Sequence, residues 1–357
     1  MTIQLDLRWR FGESPPEKIE PELFQLLQAI QELGSLQLAA KKVNISYRHA
    51  WGLMHKWERL IGHSLAMLER GRGAKLTPLG KKLLWGHRRV QARLGPELES
   101  LSSDLDAELR LLLSRGSQMP LRIIASHGLA VVMLRDLLHK ENAIRLDLQF
   151  RGSVDSLRML AGSKCDLAGF HLPEGALGRR VAPQYRRWLN PEVHVLIRVV
   201  RRCQGLMTQP DNPKGIGTLT DLTKPDVRFV NRQAGSGTRL LLDYLFEEAR
   251  LDPERITGYH TEEFTHMAVA ALVASGAADA GFGIQAAAGQ FQLRFVPVVW
   301  ENYLFAVKRA ELSTPGVSEL LRILRGAEFK NQVNALPGYD ASQAGAVTPL
   351  SLILPQE

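Results

Sequence analysis

Helical periodicity dominates the first third of the chain. Apolar residues recur every three or four positions and predict a helix over residues 21–32, followed by two short helices and a tight turn over residues 34–62. Ser35 and Ser46 stand at the expected N-caps of the short helices, because a hydroxyl there accepts a hydrogen bond from the free N–H groups of the first turn. This arrangement predicts a helix-turn-helix. The alternative is a pair of ordinary core helices of an all-α domain.

Strand patterns lie on both sides of this motif. Residues 3–11 alternate apolar and polar side chains, which predicts a strand and not the core of a signal peptide. Two short strands, 65–68 and 74–76, flank a turn rich in arginine and glycine and predict the hairpin of a wing.

A long helix is predicted after the wing, with Thr77 as its cap and Pro78 at its first position. Gly95-Pro96 is expected to interrupt it. Beyond that point, leucines from Leu98 to Leu112 recur at spacings of three and four. This stripe predicts a dimerisation arm; packing on its own subunit is the alternative.

From residue 121, strands alternate with helices, which predicts an α/β fold with parallel sheets in two lobes. The chain is expected to cross between the lobes near residues 190–205 and 296–305. We therefore expect a winged helix-turn-helix domain over residues 1–77, a dimerisation and linker helix over 78–116, and a two-lobed domain over 117–357. The predicted strands are 121–125, 145–150, 166–171, 192–201, 228–231, 278–284, 293–299 and 303–308, and the predicted helices are 129–139, 154–161, 236–249 and 267–275.

Positive charge is concentrated in the first part of the chain. Between residues 41 and 93, thirteen Lys or Arg face only Glu58 and Glu69, so the local balance is 13 − 2 = +11. Such a one-sided stretch repels itself unless a polyanion offsets it, and double-stranded DNA is the usual partner. The residues expected to contact DNA are Ser46, Tyr47, Arg48, His49, Arg70, Arg72 and Lys75.

A family resemblance supports DNA binding. The run GSLQLAAKKVNISYRHAW, followed by LERGRGAKLTPLGKKLL, resembles the DNA-binding domain of the molybdate-responsive regulator ModE. It is more distantly similar to the winged helix of LysR-type regulators, which share the Leu-Thr-Pro-x-Gly pattern at residues 76–80. The match covers roughly residues 20–95.

Three strand-to-helix turns in the second part place small and hydroxyl residues at helix starts. They are Ser126-His127-Gly128, Gly152-Ser153 and the stretch from 231 to 239. Free N–H groups and the helix dipole favour an anion at such a helix start. One such turn is a weak signal, because Gly and Ser are common loop and cap residues. Three at corresponding places in two lobes indicate an anion site.

The second part resembles the type II periplasmic-binding-protein fold, and in particular its tungstate and molybdate binders. The match rests on FVNRQAGSGTR at residues 229–239, on the turns at Ser126 and Ser153, and on ADAGFG at 278–283. The resemblance implies oxyanion binding between the lobes, and closure of the lobes on the ligand. The implied ligand residues are Ser126, Ser153, Arg232, Ser236, Gly237 and Thr238; His127, Thr265 and His266 join them by position alone.

Other functions are weighed against this one. The chain has no Walker loop, no His-Glu-x-x-His and no Gly-x-Ser-x-Gly, so no enzyme activity, metal site or cofactor is expected. Its two cysteines have no metal-binding spacing, and no apolar run is long enough for a membrane span. We expect a cytoplasmic regulator that acts as a homodimer or dimer of dimers and senses molybdate or tungstate. The alternatives are a LysR-like sensor of a small organic carboxylate, and a molybdenum-handling carrier or enzyme.

Overall fold

The computed structural model describes residues 3–69, 73–113, 120–126, 128–141 and 144–354. The chain forms two compact units, one holding Leu5–Gly95 and the other holding the chain from Pro96 onward. The predicted fold class, a helix-turn-helix part followed by a larger α/β part, is confirmed.

The first unit is helical, with two small hairpins. Its largest fully buried side chain is Trp57, which packs with the leucines of the first helix. The helices are α1 (Pro21–Leu33), α2 (Leu36–Val43), α3 (Tyr47–Ile61) and the beginning of α4 (Pro78–Leu113), and the strands are β1 (Arg10–Phe11), β2 (Glu17–Lys18), β3 (Ala66–Glu69) and β4 (Gly73–Leu76).

The predicted caps of the helix-turn-helix are confirmed. Ser35 Oγ accepts a hydrogen bond from the N–H of Leu38 at 3.4 Å, and Ser46 Oγ accepts one from the N–H of His49 at 3.1 Å. Asn44 ends α2 with a φ of 60°, a left-handed conformation that asparagine tolerates better than most residues. The turn and both helix starts therefore follow from three local residue choices.

Two sequence predictions in this region are wrong. Only Arg10–Phe11 of the expected N-terminal strand is paired, with Glu17–Lys18. A strand needs a neighbouring strand as well as an alternating pattern, and Trp9 instead packs its ring on Phe24 at 5.6 Å. The expected break at Gly95-Pro96 is absent, because α4 runs without interruption through both residues. A proline removes one backbone donor, which does not necessarily end a long helix.

The second unit is built on one mixed sheet of ten strands with helices packed on it. The strands follow the order β10-β9-β11-β8-β12-β7-β5-β6, and β13 and β14 also pair with β8. The strands are β5 (Leu121–Ala125), β6 (Leu146–Phe150), β7 (Leu167–Pro173), β8 (His194–Thr208), β9 (Phe229–Arg232), β10 (Glu262–Glu263), β11 (Ala280–Ile284), β12 (Arg294–Lys308), β13 (Tyr339–Asp340) and β14 (Val347–Pro349). The helices are α5 (Leu129–Glu141), α6 (Ser153–Ala161), α7 (Gly175–Arg186), α8 (Gly237–Glu248), α9 (His266–Ala274), α10 (Gln285–Gln290), α11 (Pro315–Arg325), α12 (Ala327–Asn334) and α13 (Leu350–Ile353).

Lobe 1 contains β5, β6 and β7, and lobe 2 contains β9, β10 and β11. Two long strands, β8 and β12, belong to both lobes. The first residues of β8 pair with the end of β12, which also pairs with β7 in lobe 1. The last residues of β8 pair with β11 in lobe 2. The two predicted crossings of the chain are thereby confirmed, although 293–299 and 303–308 form one strand and not two. The crossing strands run antiparallel to their neighbours, so the sheet is mixed and not purely parallel.

The two lobes share an arginine–aspartate interaction that the sequence analysis missed. In lobe 1, the carboxylate of Asp166 accepts hydrogen bonds from the backbone N–H and the guanidinium of Arg122. In lobe 2, Asp279 accepts the same pair of bonds from Arg228. Each aspartate precedes a strand containing Ala-Gly-Phe, so β7 and β11 occupy corresponding positions in the two lobes.

Candidate functional site

The exposed face of α3 is the candidate DNA-binding surface. The side chains of Tyr47, Arg48 and His49 are exposed in its first turn, as predicted, and Ser46 serves as the cap. Trp51 is 44% exposed one turn further along and packs against His55 with ring centroids 3.8 Å apart. Tyr47, four residues earlier on the same helix, is also exposed, and exposed apolar side chains that form a patch mark interaction surfaces. We call α3 the recognition helix.

Hydrogen bonds connect the wing to the helices beside it. The N–H of Ala74 donates to the carbonyl of Gly34 at 2.7 Å, and Glu58 of the recognition helix accepts from the N–H of Leu65 at 2.9 Å. Lys75, a predicted contact, is exposed on β4. Arg70 and Arg72, the other predicted wing contacts, lie outside the described residues.

Part of the positive charge is neutralised within the first unit. Lys42 forms an ion pair with Glu32, and Lys56 pairs with Glu17 and Glu20. These three glutamates precede residue 41 in the chain. The balance of +11 counted over residues 41–93 therefore overstates the charge available to DNA.

In lobe 1, Ser126 follows β5 at the end of the strand. Its backbone carbonyl accepts a hydrogen bond from the hydroxyl of Tyr303 at 2.9 Å. That hydroxyl fits because residue 169 is glycine; a Cβ there would lie 2.3 Å from it. Ser126 Oγ is buried and interacts with the hydroxyl of Tyr303.

Ser153 lies at the start of a helix after β6, as predicted. It is the first residue of α6, and Gly152 is the N-cap. Its hydroxyl accepts a hydrogen bond from the N–H of His171 at 3.3 Å and also interacts with Tyr185. The side chain therefore holds the end of β7 in place, while the N-terminal N–H groups of α6 remain as donors.

In lobe 2, Arg232 ends β9 and is partly buried. Its Nη2 donates to the carbonyl of Phe264 at 2.9 Å and its Nε donates to Gln233 Oε1 at 3.2 Å. Both acceptors are neutral, and no carboxylate pairs with Arg232 in the described part of the chain. The loss of solvent and the nearby charge of Arg202 lower the pKa of Arg232 to about 9. Its guanidinium stays charged at neutral pH but has no counter-ion.

Arg239, seven residues further on, is bound differently. It is buried, pairs with Asp243 and Glu262 at 3.0 Å, and lies over the ring of Tyr259. Its charge is already compensated, so it serves the structure of lobe 2.

The start of α8 lies next to His266. Ser236 caps α8 by accepting from the N–H of Arg239 at 3.2 Å, and Gly237 and Thr238 form its first turn. Thr238 Oγ1 is 3.5 Å from Nε2 of His266. Thr265 caps α9 by accepting from the N–H of Ala268, so its hydroxyl has a structural role.

Gly283 makes room for the imidazole of His266. A Cβ at Gly283, at the end of β11, would lie 2.9 Å from Nδ1 of His266. His266 therefore packs at the carboxyl end of this strand. His127, the remaining predicted ligand residue, lies outside the described residues.

A buried ion pair lies where β8 and β12 pass between the lobes. Arg202 and Glu301 are 4% and 3% exposed, face each other in the strand register, and are joined by a hydrogen bond. His171 Nδ1 is 3.4 Å from Glu301 Oε1. The charges of Arg202 and Arg232 both act on His171, so Arg232 of lobe 2 lies within electrostatic range of lobe 1. We use the name interlobe cleft for the region around Ser126, His171, Tyr303, Arg202, Glu301, Arg232, Thr238 and His266.

Sequence reasoning missed Arg202, Glu301 and Tyr303, and left the role of His171 open. Arg202 and Glu301 are 99 positions apart in strands that otherwise read as apolar. A charged residue within an apolar strand was the available signal, since such residues are seldom buried without a partner.

Comparisons with known proteins agree with this architecture. Residues 134–325, more than half of the chain, match the family described as the PBP superfamily domain. Residues 21–81 match the bacterial regulatory helix-turn-helix proteins of the lysR family. No helix in the described ranges is long and apolar enough to cross a membrane.

Several relatives are named. The chain is 37% identical over 212 residues to the uncharacterized protein YvgK of Bacillus subtilis (strain 168), over 58% of this chain and 68% of that one. It is 31% identical over 91 residues to the molybdenum-pterin-binding protein MopB of Rhodobacter capsulatus, over 24% of this chain and 34% of that one. The structure of an H2O2-bound mutant of OxyR from Corynebacterium glutamicum is similar with a TM-score of 0.45 and 16% identity, over 88% of this chain and 93% of that one.

The fold and the two sites define a DNA-binding protein that carries a ligand-binding, or effector, domain. The chain belongs to the PBP superfamily through its effector domain, and its helix-turn-helix is of the lysR family. Its helix-turn-helix followed by a PBP-like domain is the domain organisation of a LysR-type transcriptional regulator.

Proposed function

We propose that this regulator senses a small oxyanion, in the first place molybdate or tungstate, bound in the interlobe cleft. The observation that carries the proposal is the contrast between Arg232 and Arg239. Arg239 has two carboxylate partners, whereas Arg232 has only neutral acceptors. A partly buried cation without a counter-ion is unfavourable, and an anionic ligand would supply the missing charge.

Further donors surround the same place. Ser126 supplies a buried hydroxyl in lobe 1, and the first turn of α8 offers N–H groups beside Thr238. The name of MopB, one of the relatives, and the ModE-like run of the DNA-binding domain favour a molybdenum-containing anion. None of the cleft residues by itself selects molybdate over sulfate.

A small organic carboxylate is the second candidate. The ring of Phe264 is 55% exposed beside the carbonyl that accepts from Arg232. An anionic group on Arg232 would leave the rest of an organic ligand near this apolar surface. A tetraoxoanion has no apolar part that would pack on this ring.

The coupling to DNA follows from the two-lobed architecture. An anion held by donors of both lobes favours their closed arrangement, and a ligand shifts such an equilibrium by its difference in affinity for the two states. We propose that this shift changes how a homodimer, or a dimer of dimers, holds its recognition helices on DNA.

Calorimetry of the full-length protein with molybdate, tungstate, sulfate and acetate tests the ligand. A charged hydrogen bond contributes about 1.5–3 kcal/mol, so Arg232→Ala is expected to weaken oxyanion binding roughly ten- to more than a hundredfold. Ser236→Ala is expected to lose less, because the backbone donors remain. The charge-matched control is Arg322→Ala, which removes an arginine paired with Glu319 on α11. If only acetate gives a heat of binding, the ligand is a small carboxylate and not an oxyanion. If the Arg232→Ala and Arg322→Ala variants bind the oxyanion with equal affinity, Arg232 does not hold the ligand.

A further inference from the structure

His171 of lobe 1 lies close to the charges of the cleft. It lies in β7 opposite Tyr303, and the two rings meet edge to face at 4.4 Å. The side chain is only 12% exposed. Neither ring nitrogen has a hydrogen-bond partner among the described residues, although Nδ1 is 3.4 Å from Glu301 Oε1. Buried polar atoms are nearly always hydrogen-bonded, so this imidazole is poised for a ligand.

Charged and titratable groups approach His171 from three strands. Arg202 comes from β8, Arg232 from β9, and Glu301 and Tyr303 from β12. The carboxylate of Glu301 is bonded to Arg202, so it offsets one of the two arginines and leaves the other uncompensated. Burial and both guanidinium groups hold the pKa of His171 well below its usual value. The imidazole is therefore neutral in the unliganded protein at neutral pH.

Each lobe has an imidazole beside its strand that contains Ala-Gly-Phe. Ala168-Gly169-Phe170 in β7 is followed by His171, and Ala280-Gly281-Phe282 in β11 is followed by Gly283, whose space His266 occupies. The cleft thus has a histidine from each lobe at the carboxyl end of its Ala-Gly-Phe strand. Arg232 acts on the first and Thr238 contacts the second.

We infer that His171 binds the same anion as Arg232, from the opposite lobe, and takes up a proton when the anion enters. This inference rests on the proposed function and assigns a further ligand residue to its site. An anion beside the imidazole offsets the repulsion of the two arginines and favours the charged form. The proton comes from solvent and goes to a ring nitrogen, which then donates a hydrogen bond to the anion.

The direction of the pH dependence follows from linkage. The unliganded protein has the lower His171 pKa and the complex has the higher one, so the complex holds more protons between the two values. In that window the affinity for the anion rises by up to about tenfold for each unit by which the pH falls. Above both pKa values the dependence disappears.

The test is calorimetry of full-length protein with sodium molybdate, repeated with tungstate, phosphate and acetate. Titrations at one pH in buffers of different ionisation heat count the protons taken up, and a series between about pH 6 and 8 gives the slope. We expect uptake of up to about one proton per anion. His171→Gln should abolish the uptake and flatten the pH series. His260→Gln removes an exposed histidine paired with Glu254. This control should change neither the proton uptake nor the dependence of the affinity on pH.

Each outcome decides the question. Anion binding without proton uptake, or uptake that persists in His171→Gln, overturns the role of His171 and leaves the proposed function intact. Absence of binding by all four anions overturns both. Because the proton count is measured first on the unaltered protein, a variant that fails to fold does not remove the test.

Discussion

Arg48 and Arg59 lie at opposite ends of the recognition helix and differ in their surroundings. Arg48 is exposed in the first turn, whereas Nε of Arg59 donates to the carbonyl of His55 in the last turn. The first turn of a recognition helix is the part that usually reaches base edges. We expect Arg48→Ala to weaken binding to a specific operator by about 1–3 kcal/mol and to relax preference at one base pair.

Arg59→Ala is the matched control, since it removes the same charge from the same helix. The affinity of this variant for DNA is expected to change little, whatever the operator sequence. Fluorescence anisotropy with a set of single-base operator variants at fixed salt measures both effects. Equal losses for the two arginines would indicate a general charge effect without base reading.

At the same scale, the sequence singled out the proposed anion motif but could not assign roles to its two arginines. FVNRQAGSGTR contains Arg232 and Arg239, and nothing in the motif tells which guanidinium is available. The answer depends on Asp243 and Glu262, which reach Arg239 only in the folded lobe. Likewise, Arg202 and Glu301 become neighbours only through the register of two long strands.

Among the elements, the sequence predicted helices that have clear local caps, but it missed α7, α10, α11, α12 and α13. Caps at Ser35, Ser46 and Ser236 are set by residues within three positions, so the sequence contains the whole cause. Strand lengths depend on remote partners, which is why β12 was divided in two. Helix α7 was missed because it is rich in arginine and contains Pro183, which weakens the periodic signal.

Gly80 explains part of the Leu-Thr-Pro-x-Gly pattern. Thr77 caps α4 by accepting from the N–H of Gly80, and its own N–H donates to the carbonyl of Leu65. A Cβ at Gly80 would lie 2.1 Å from that carbonyl oxygen. Gly80→Ala therefore forces the helix and the wing apart and is expected to lower the free energy of unfolding by about 1–3 kcal/mol.

Gly86→Ala tests whether the effect comes from this contact and not from loss of glycine. Gly86 lies in the same helix, and its Cβ would meet only the ring of Trp9 at 3.9 Å, an ordinary contact. Alanine favours a helix by about 1 kcal/mol over glycine, so this variant should be unchanged or more stable. Urea denaturation of both variants gives the comparison, and equal stability would contradict the account of Gly80.

For the whole molecule, the sequence predicted a winged helix-turn-helix domain, a dimerisation and linker helix and a two-lobed domain, and it placed subunit assembly on the leucines of the long helix. The predicted leucine stripe gives the relevant observation. Leu101 and Leu105 lie one turn apart on α4 and are 47% and 42% exposed. Neighbouring exposed leucines on a long helix are typical of a surface that another subunit covers.

We expect the double variant Leu101→Glu, Leu105→Glu to be a folded monomer, because two carboxylates in a helix–helix interface would be buried without partners. It should also bind a palindromic operator much more weakly, since each subunit then binds a half-site without the gain from linked binding. Light scattering after size-exclusion chromatography measures the mass, and a shift assay measures the affinity. Leu352→Glu is the control: that leucine is 74% exposed near the other end of the chain and should leave the mass unchanged. A double variant that keeps the mass of the parent protein would place the interface away from this stripe.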